Sequence, residues 1–488
     1  MTAWQVAVRR AEALLAAGHV RQAGALLRSA VAARVPEAVL LAARCAVRDG
    51  DRTAARALAA QAEDLFRAAG RSSLVAAAQA VALCAGAPDV PTAVVAACDR
   101  RRGTTRSRAV GWLARARLAP TRRAAVAACR AGLALDDPDT RGELVNIALD
   151  HALNSADARA VWRWGEGAAG RPPEVAPGVA RVRAELRLAR VRRDRERIAR
   201  LERELRGLAR PATPAVPLND VVDALGDRAL LVFVSHRERL VGVSVVDRRV
   251  RLHDFGEART AARHVRALSL AAAPHAVADL DRLLRPAGDR PVVVVPSPEL
   301  TRVPWAALPS GRGRAVSVAP SASCWHRADT RPLALARRLW VAGPSLRHAH
   351  REVEALHRAH GGRVRSTVEE TLREMPEVDV AHIAAHGVLD DESSSYLRLA
   401  DGPLHGYHLE GLARAPSVVV LSACEPGLAR VLLRRGARVV VESVRPVPDD
   451  RVVDLMVDLH ANLAHPAQAL ADAQARHGDL GFLCVGSG

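Results

Sequence analysis

The feature that most constrains this chain is a change of period. Up to about Arg210, apolar residues recur every three or four positions, as at Ala11, Leu14 and Leu15, then Ala23, Leu26, Leu27 and Val31. That spacing is the buried stripe of an amphipathic helix, and the prevalence of Ala and Leu agrees with helix propensity. After Pro217 the stripe gives way to short β-branched runs at 230–234, 240–246, 292–295, 315–319, 339–342, 378–384, 418–422 and 439–441. Helical patterns lie between several of them, as at 261–271 and 348–360. Strands alternating with helices predict βαβ units and a mostly parallel sheet, and runs apolar on both sides predict helices on both faces. Pro211, Pro214 and Pro217 end the last helical stretch, because proline cannot continue a helix. The expected fold is an all-α half, residues 1–210, followed by a three-layer α/β half, residues 217–488.

Within the first half, breaks at Gly18-His19 and at Asp49-Gly50-Asp51 each put small turn residues before a new helical stretch. Gly18 and Gly50 are 32 residues apart, close to the helix–turn–helix period of about 34 residues. This half resembles degenerate tetratricopeptide repeats; an irregular helical bundle is the alternative reading of the same pattern. Residues 179–210 alternate in charge along a helical stretch, as a final or linking helix does.

Aromatic residues make up only 3% of the chain, so its cores must be built from Ala, Val and Leu. Lys+Arg 71 against Asp+Glu 53 gives a net charge of +18, all of the positive charge being arginine. The arginines are spread through the chain among Ala and acidic residues, and stacking platforms are nearly absent. That argues against nucleic acid as a partner. The seven cysteines (Cys45, Cys84, Cys98, Cys129, Cys324, Cys424 and Cys484) are odd in number, with no CxxC pair. They fit a reducing compartment rather than a disulfide framework or a zinc ribbon. The start, Met1-Thr2-Ala3-Trp4-Gln5, lacks a secretory pattern, and no apolar stretch reaches the ~18 residues of a spanning helix. The expected location is cytoplasmic, with no membrane partner.

The reactive side chains concentrate at two strand ends. Residues 381–387 run into His386-Gly387, and residues 418–427 run into Ser422-Ala423-Cys424. In open α/β sheets, ligands bind beyond the carboxyl ends of the strands. Neighbouring parallel strands would bring His386 and Cys424 to one edge, as base and nucleophile. Imidazole raises the thiolate fraction. The N–H groups of Gly387 and Cys424 can face a developing oxyanion, glycine allowing close approach. His382 and His386 form HxxxH, but the adjacent Glu of a zinc-protease helix is missing and the lead-in reads as a strand. His382 is therefore expected as a core histidine, with no metal. Cys324 and Cys484 are expected to be inert, and the helical-half cysteines to be buried small hydrophobes.

Together these segments resemble the CHAT peptidases, the caspase-like family that commonly follows tetratricopeptide repeats. The resemblance rests on His386-Gly387, on Ser422-Ala423-Cys424, on Val303-Pro304-Trp305-Ala306-Ala307-Leu308-Pro309 after the strand at 292–295, on Ser317-Val318-Ala319-Pro320-Ser321, on Val341-Ala342-Gly343-Pro344 and on the helix carrying Glu352 and Glu354. It implies a Cys424/His386 dyad with Gly387 N–H at the oxyanion, in an endopeptidase acting on a protein substrate. It also implies an inactive caspase-like half (217–330) before the dyad-bearing half (335–488). No metal or nucleotide cofactor is called for, and no Walker-type glycine loop occurs. Solenoid grooves bind proteins, so the repeats are expected to bind an activating partner. The chain departs from the family pattern in three places: a short segment after Cys424, Arg445 where a Trp is usual, and a reduced closing motif at His477-Gly478-Asp479. Asp449 and Asp450 either line an acidic pocket for a basic substrate residue or cap a helix. The alternative to a peptidase is a scaffold that has lost its pocket and acts by protein interaction.

Overall fold

The computed structural model describes residues 20–86, 105–135, 137–168, 215–270, 274–389, 395–424, 427–448 and 450–488, with isolated helical positions outside these spans. By its internal contacts the chain divides into two compact units, 1–157 and 158–488.

In the first unit the described helices are α1 (Val20–Ala32), α2 (Pro36–Asp49), α3 (Arg52–Ala68), α4 (Ser72–Cys84), α5 (Thr105–Leu118), α6 (Arg122–Leu133) and α7 (Pro138–Asn154). Successive helices pack on one another. The expected turn at Asp49-Gly50-Asp51 is present. Gly50 takes the left-handed conformation that ends α2 (φ 86°), and the Asp51 carboxylate accepts the Ala54 N–H at 2.9 Å to start α3. Asp137 caps α7 in the same way, ahead of Pro138. The helices meet through alanine: Ala38, Ala55, Ala59 and Ala62 are fully buried. Cys45 and Cys129 are buried as expected, Cys84 at the end of α4 is only half-buried against expectation, and Cys98 lies outside the described residues.

The second unit opens with α8 (Ala158–Ala168) and α9 (Leu218–Ala224). The proline segment expected as the domain boundary lies largely outside the described residues. The eight predicted strands all form. They belong, with three others, to an eleven-stranded sheet ordered β3-β2-β1-β4-β5-β14-β13-β12-β8-β6-β7. Its strands are β1 (Ala229–His236), β2 (Arg239–Val246), β3 (Arg249–Glu257), β4 (Val292–Val295), β5 (Val316–Val318), β6 (Arg338–Ala342), β7 (Arg363–Arg365), β8 (Val380–Ala384), β12 (Val418–Ser422), β13 (Val439–Ser443) and β14 (Phe482–Gly486). A separate three-stranded sheet holds β9 (His386–Val388), β10 (Tyr396–Leu399) and β11 (Gly402–His405). Pairing is mostly parallel, with antiparallel exceptions in the β1–β2–β3 meander and between β13 and β14. The β13–β14 reversal makes two parallel blocks of opposite direction. β6, β7, β8, β12 and β13 therefore end on the edge where β14 and β5 begin.

Both faces of the sheet are covered. Leu231, Val294, Ile383, Leu421 and Val440 pack with α10 (Ala258–Leu270), α11 (Pro274–Asp281) and the short helix at Ala429–Arg434. On the other face, Val418, Val420, Val439 and Val441 pack against helices Val452–Ala461 and Pro466–His477. A buried carboxylate ties α8 into this unit: Glu166 accepts the N–H groups of Ala322 (2.6 Å) and Ser323 (3.1 Å) and the Ser323 hydroxyl (2.8 Å). No helix among the described residues is long and apolar enough to cross a membrane.

Candidate active site

Two central strands run side by side in parallel, with Val418 opposite Val380 and Ser422 opposite Ala384. Mainly apolar segments form them because both faces are covered, and every residue of each strand is buried. His386 and Cys424 each lie two residues beyond the final pair, so the common register carries both to one edge. The ladder continues one step further, with the Ala385 N–H donating to the Ser422 carbonyl at 3.2 Å. There the chain after β8 turns out of the main sheet, and His386 begins β9, opposite Arg398 of β10. His386 is exposed and Cys424 is half-buried.

Gly387 fits against the backbone of Cys424. A Cβ at position 387 would lie 3.2 Å from the Cys424 carbonyl carbon and closer still to its oxygen. Glycine is needed here for close approach, not for an unusual backbone angle. The thiol also has a backbone donor that sequence reasoning missed: the Val447 N–H points at Cys424 Sγ at 3.3 Å. A main-chain amide has no residue-type signature, so the sequence offered no signal for it.

The segment after Cys424 enters its helix at Ala429, as its shortness predicts. Glu442 of β13 accepts the N–H groups of Leu428 and Ala429 at 3.0 and 3.1 Å and fixes that entry. Arg445, at the family's Trp position, follows β13 and donates to both the carboxylate and the carbonyl of Asp479. Its side chain lies along Gly481, where a Cβ would come within 2.8 Å of Nε. Burial raises the Asp479 carboxyl above its ordinary range, with Arg445 opposing. Asp450 is exposed in a turn, and Asp449 lies outside the described residues.

His382 is fully buried on β8, as a core histidine. Its Nδ1 is 3.1 Å from His460 Nε2, and its Nε2 is 2.8 Å from Glu352 Oε1. Among the described residues no group of three or more His, Cys, Asp or Glu is placed to hold a metal ion. Cys324 and Cys484 have their thiols raised by burial, Cys484 to about 12.

Comparison with known proteins agrees with this architecture. A solved structure of the Saccharomyces cerevisiae separase–securin complex, at 3.0 angstrom, matches with a TM-score of 0.57 and 8% identity, covering 99% of this chain and 47% of that one. A second structure of that complex, at 2.6 angstrom, has a TM-score of 0.49 and 9% identity, covering 99% and 49%. The chain thus spans about half the length of these structures, and at 8% identity the likeness to the first is one of fold. No curated protein matches the chain in sequence. Residues 264–478 match the family model described as CHAT domain; both strand-end motifs fall within that stretch, over which the chain carries a CHAT domain.

Proposed function

We propose that the protein is a cysteine endopeptidase with Cys424 as nucleophile and His386 as general base and acid. The observation that carries this reading is the shared register: both residues sit two positions past the Ser422/Ala384 pair, at one edge of the sheet. His386 takes the thiol proton, and Sγ bonds to the peptide carbonyl carbon. The N–H of Gly387 faces the oxyanion. The C–N bond then breaks as His386 returns the proton to the leaving amine, and water cleaves the thioester to a carboxylate and the free thiol. The substrate is a protein. Asp450 follows β13 in an exposed turn, and we read it, with Asp449 before it in the sequence, as an acidic floor that favours a basic residue before the cleaved bond. The helices of the first unit act as repeats that bind a regulatory protein partner. The complex of the separase neighbour with securin supports a role for partner proteins.

Incubation with a peptide-based electrophile followed by mass spectrometry tests the proposal. Cys424 is the expected site of labelling, lost in Cys424→Ala and strongly reduced in His386→Ala. Labelling of Cys45 or Cys84 with Cys424 untouched would overturn it. The short segment after Cys424 and the Arg445–Asp479 pair favour a second reading, a scaffold without a working pocket. A scaffold keeps its cellular effect in Cys424→Ala, whereas a peptidase loses it.

A further inference from the structure

A cavity of about 530 Å³ opens in the second unit where the two parallel blocks of the sheet meet. Leu268, Val277, Pro304 and Ala471 give it an apolar wall, and Arg312, Arg445, Gln474 and Asp479 supply its polar groups. Its size lies within the roughly 300–1,000 Å³ of small-ligand sites. It lies on the thiol's side of the sheet. Arg445 leaves the carboxyl end of β13 two residues before Val447, whose N–H meets Cys424 Sγ.

Three features define what fits. Gln474 is 94% buried (6% exposed), and its Oε1 has no hydrogen-bond partner. A buried acceptor in that state calls for a donor. Asp479 is already engaged, accepting from Arg445 and from the Gly481 N–H at 2.9 Å. Two guanidinium groups, Arg312 and Arg445, therefore face one carboxylate, and the surplus charge favours an anion, most of all a carboxylate that arginine can hold with paired hydrogen bonds. The apolar wall accepts a short hydrocarbon group.

We propose that this cavity binds an N-acylated amino-acid carboxylate, the chemistry of a peptide's free C-terminal residue. Its amide N–H meets Gln474 Oε1, its carboxylate meets Arg312 and the outer face of Arg445, and its side chain lies on Leu268, Val277 and Ala471. The site requires no reaction at Cys424, so it stands independently of the peptidase reading.

Calorimetric titration of the full chain, and of its Cys424→Ala variant, with N-acetylleucine and N-acetylleucinamide tests the proposal. The acid is expected to bind both proteins, and the amide, which lacks the carboxylate, at least about tenfold more weakly, the worth of one hydrogen bond to a charged group. Gln474→Met keeps the volume but removes the acceptor, and is expected to weaken the acid about tenfold; exposed Arg312→Gln is expected to do the same without disturbing the fold. Equal binding of acid and amide, no binding of the acid at millimolar concentration, or wild-type affinity in the variants overturns it. If Gln474→Met does not fold, the Arg312→Gln result and the acid–amide comparison decide.

Discussion

Gly387 lies so close to Cys424 that the space a Cβ would take at 387 is already filled by the Cys424 carbonyl. The turn carrying the histidine and the turn carrying the thiol are thus packed backbone to backbone, and any movement of one moves the other. Gly387→Ala forces them apart by up to about 1 Å, a displacement that costs on the order of 100-fold in a positioned reaction. The expected result is that loss of peptidase turnover with thermal stability nearly kept. Turnover within twofold of wild type would show that the contact does not position the site.

The Val447 N–H is a donor to sulfur at 3.3 Å. Val447→Pro removes it, at a position already flanked by Pro446 and Pro448. A hydrogen bond to a charged group is worth roughly 1.5–3 kcal/mol, so alkylation of Cys424 by iodoacetamide and peptide turnover should fall roughly 10- to 100-fold. Alkylation at the wild-type rate would mean that the amide merely touches the thiol.

Much of this arrangement was legible in the sequence because the central strands are buried on both faces and so read as mainly apolar runs, each leading into a reactive residue and then a glycine. The parts that were not legible have physical reasons. β3 alternates charged and apolar residues (Arg249, Val250, Arg251, Leu252) on an exposed edge, and carries no apolar run. β9 is three residues long and contains the histidine and glycine themselves, so nothing announced a second sheet. Arg445 and Asp479 are 34 residues apart and meet only because β13 and β14 pair antiparallel. Glu442 reads as an interruption within a Val strand, although its carboxylate caps the helix that follows Cys424.

The cysteines should react in an order set by burial. Cys484 and Cys129 are pushed to about 12 by desolvation, so at pH 8 each is ionised at about one part in ten thousand. Burial also raises Cys45 and Cys324. Cys424 is half-buried. Limited alkylation of the native protein with peptide mapping is expected to find Cys424 modified ahead of all four. Prior labelling of Cys129 or Cys484 would contradict the packing described.

His460 supplies a pH dependence. It is 1% exposed and held well below its ordinary pKa by burial first, then by the charges of His382, His360 and Arg338. It stays neutral in the folded state but takes up a proton on unfolding once the pH falls below about 6.5. Stability contributed by the neutral form is therefore intact above that value and declines below it, by up to about 1.4 kcal/mol per pH unit for one proton. His460→Gln retains an amide beside His382 without titrating. Its unfolding free energy between pH 7 and 5 should fall less steeply than that of the wild type, as urea melts at each pH would show. Equal slopes would place the acid sensitivity elsewhere.

Glu166 joins α8 to the rest of the second unit through a carboxylate that is 4% exposed and accepts three hydrogen bonds at the start of the helix Ala322–Asp329. The Ser321 hydroxyl accepts the Cys324 N–H at 3.1 Å, so the first three helical amides are all satisfied. The negative charge also favours this end of the helix dipole. In Glu166→Ala, two amides and a hydroxyl lose a charged acceptor in a place water does not reach, a loss of about 2–4 kcal/mol. Glu166→Gln should lose about half as much, because one carbonyl oxygen remains while the new NH₂ faces a donor. Urea unfolding followed by tryptophan fluorescence reads the effect, since Trp325 on that helix is fully buried. A change below about 0.5 kcal/mol in Glu166→Ala would mean that α8 is held by its apolar contacts alone, among them Gly165 against Val234, where a Cβ would come within 2.7 Å of the valine methyl.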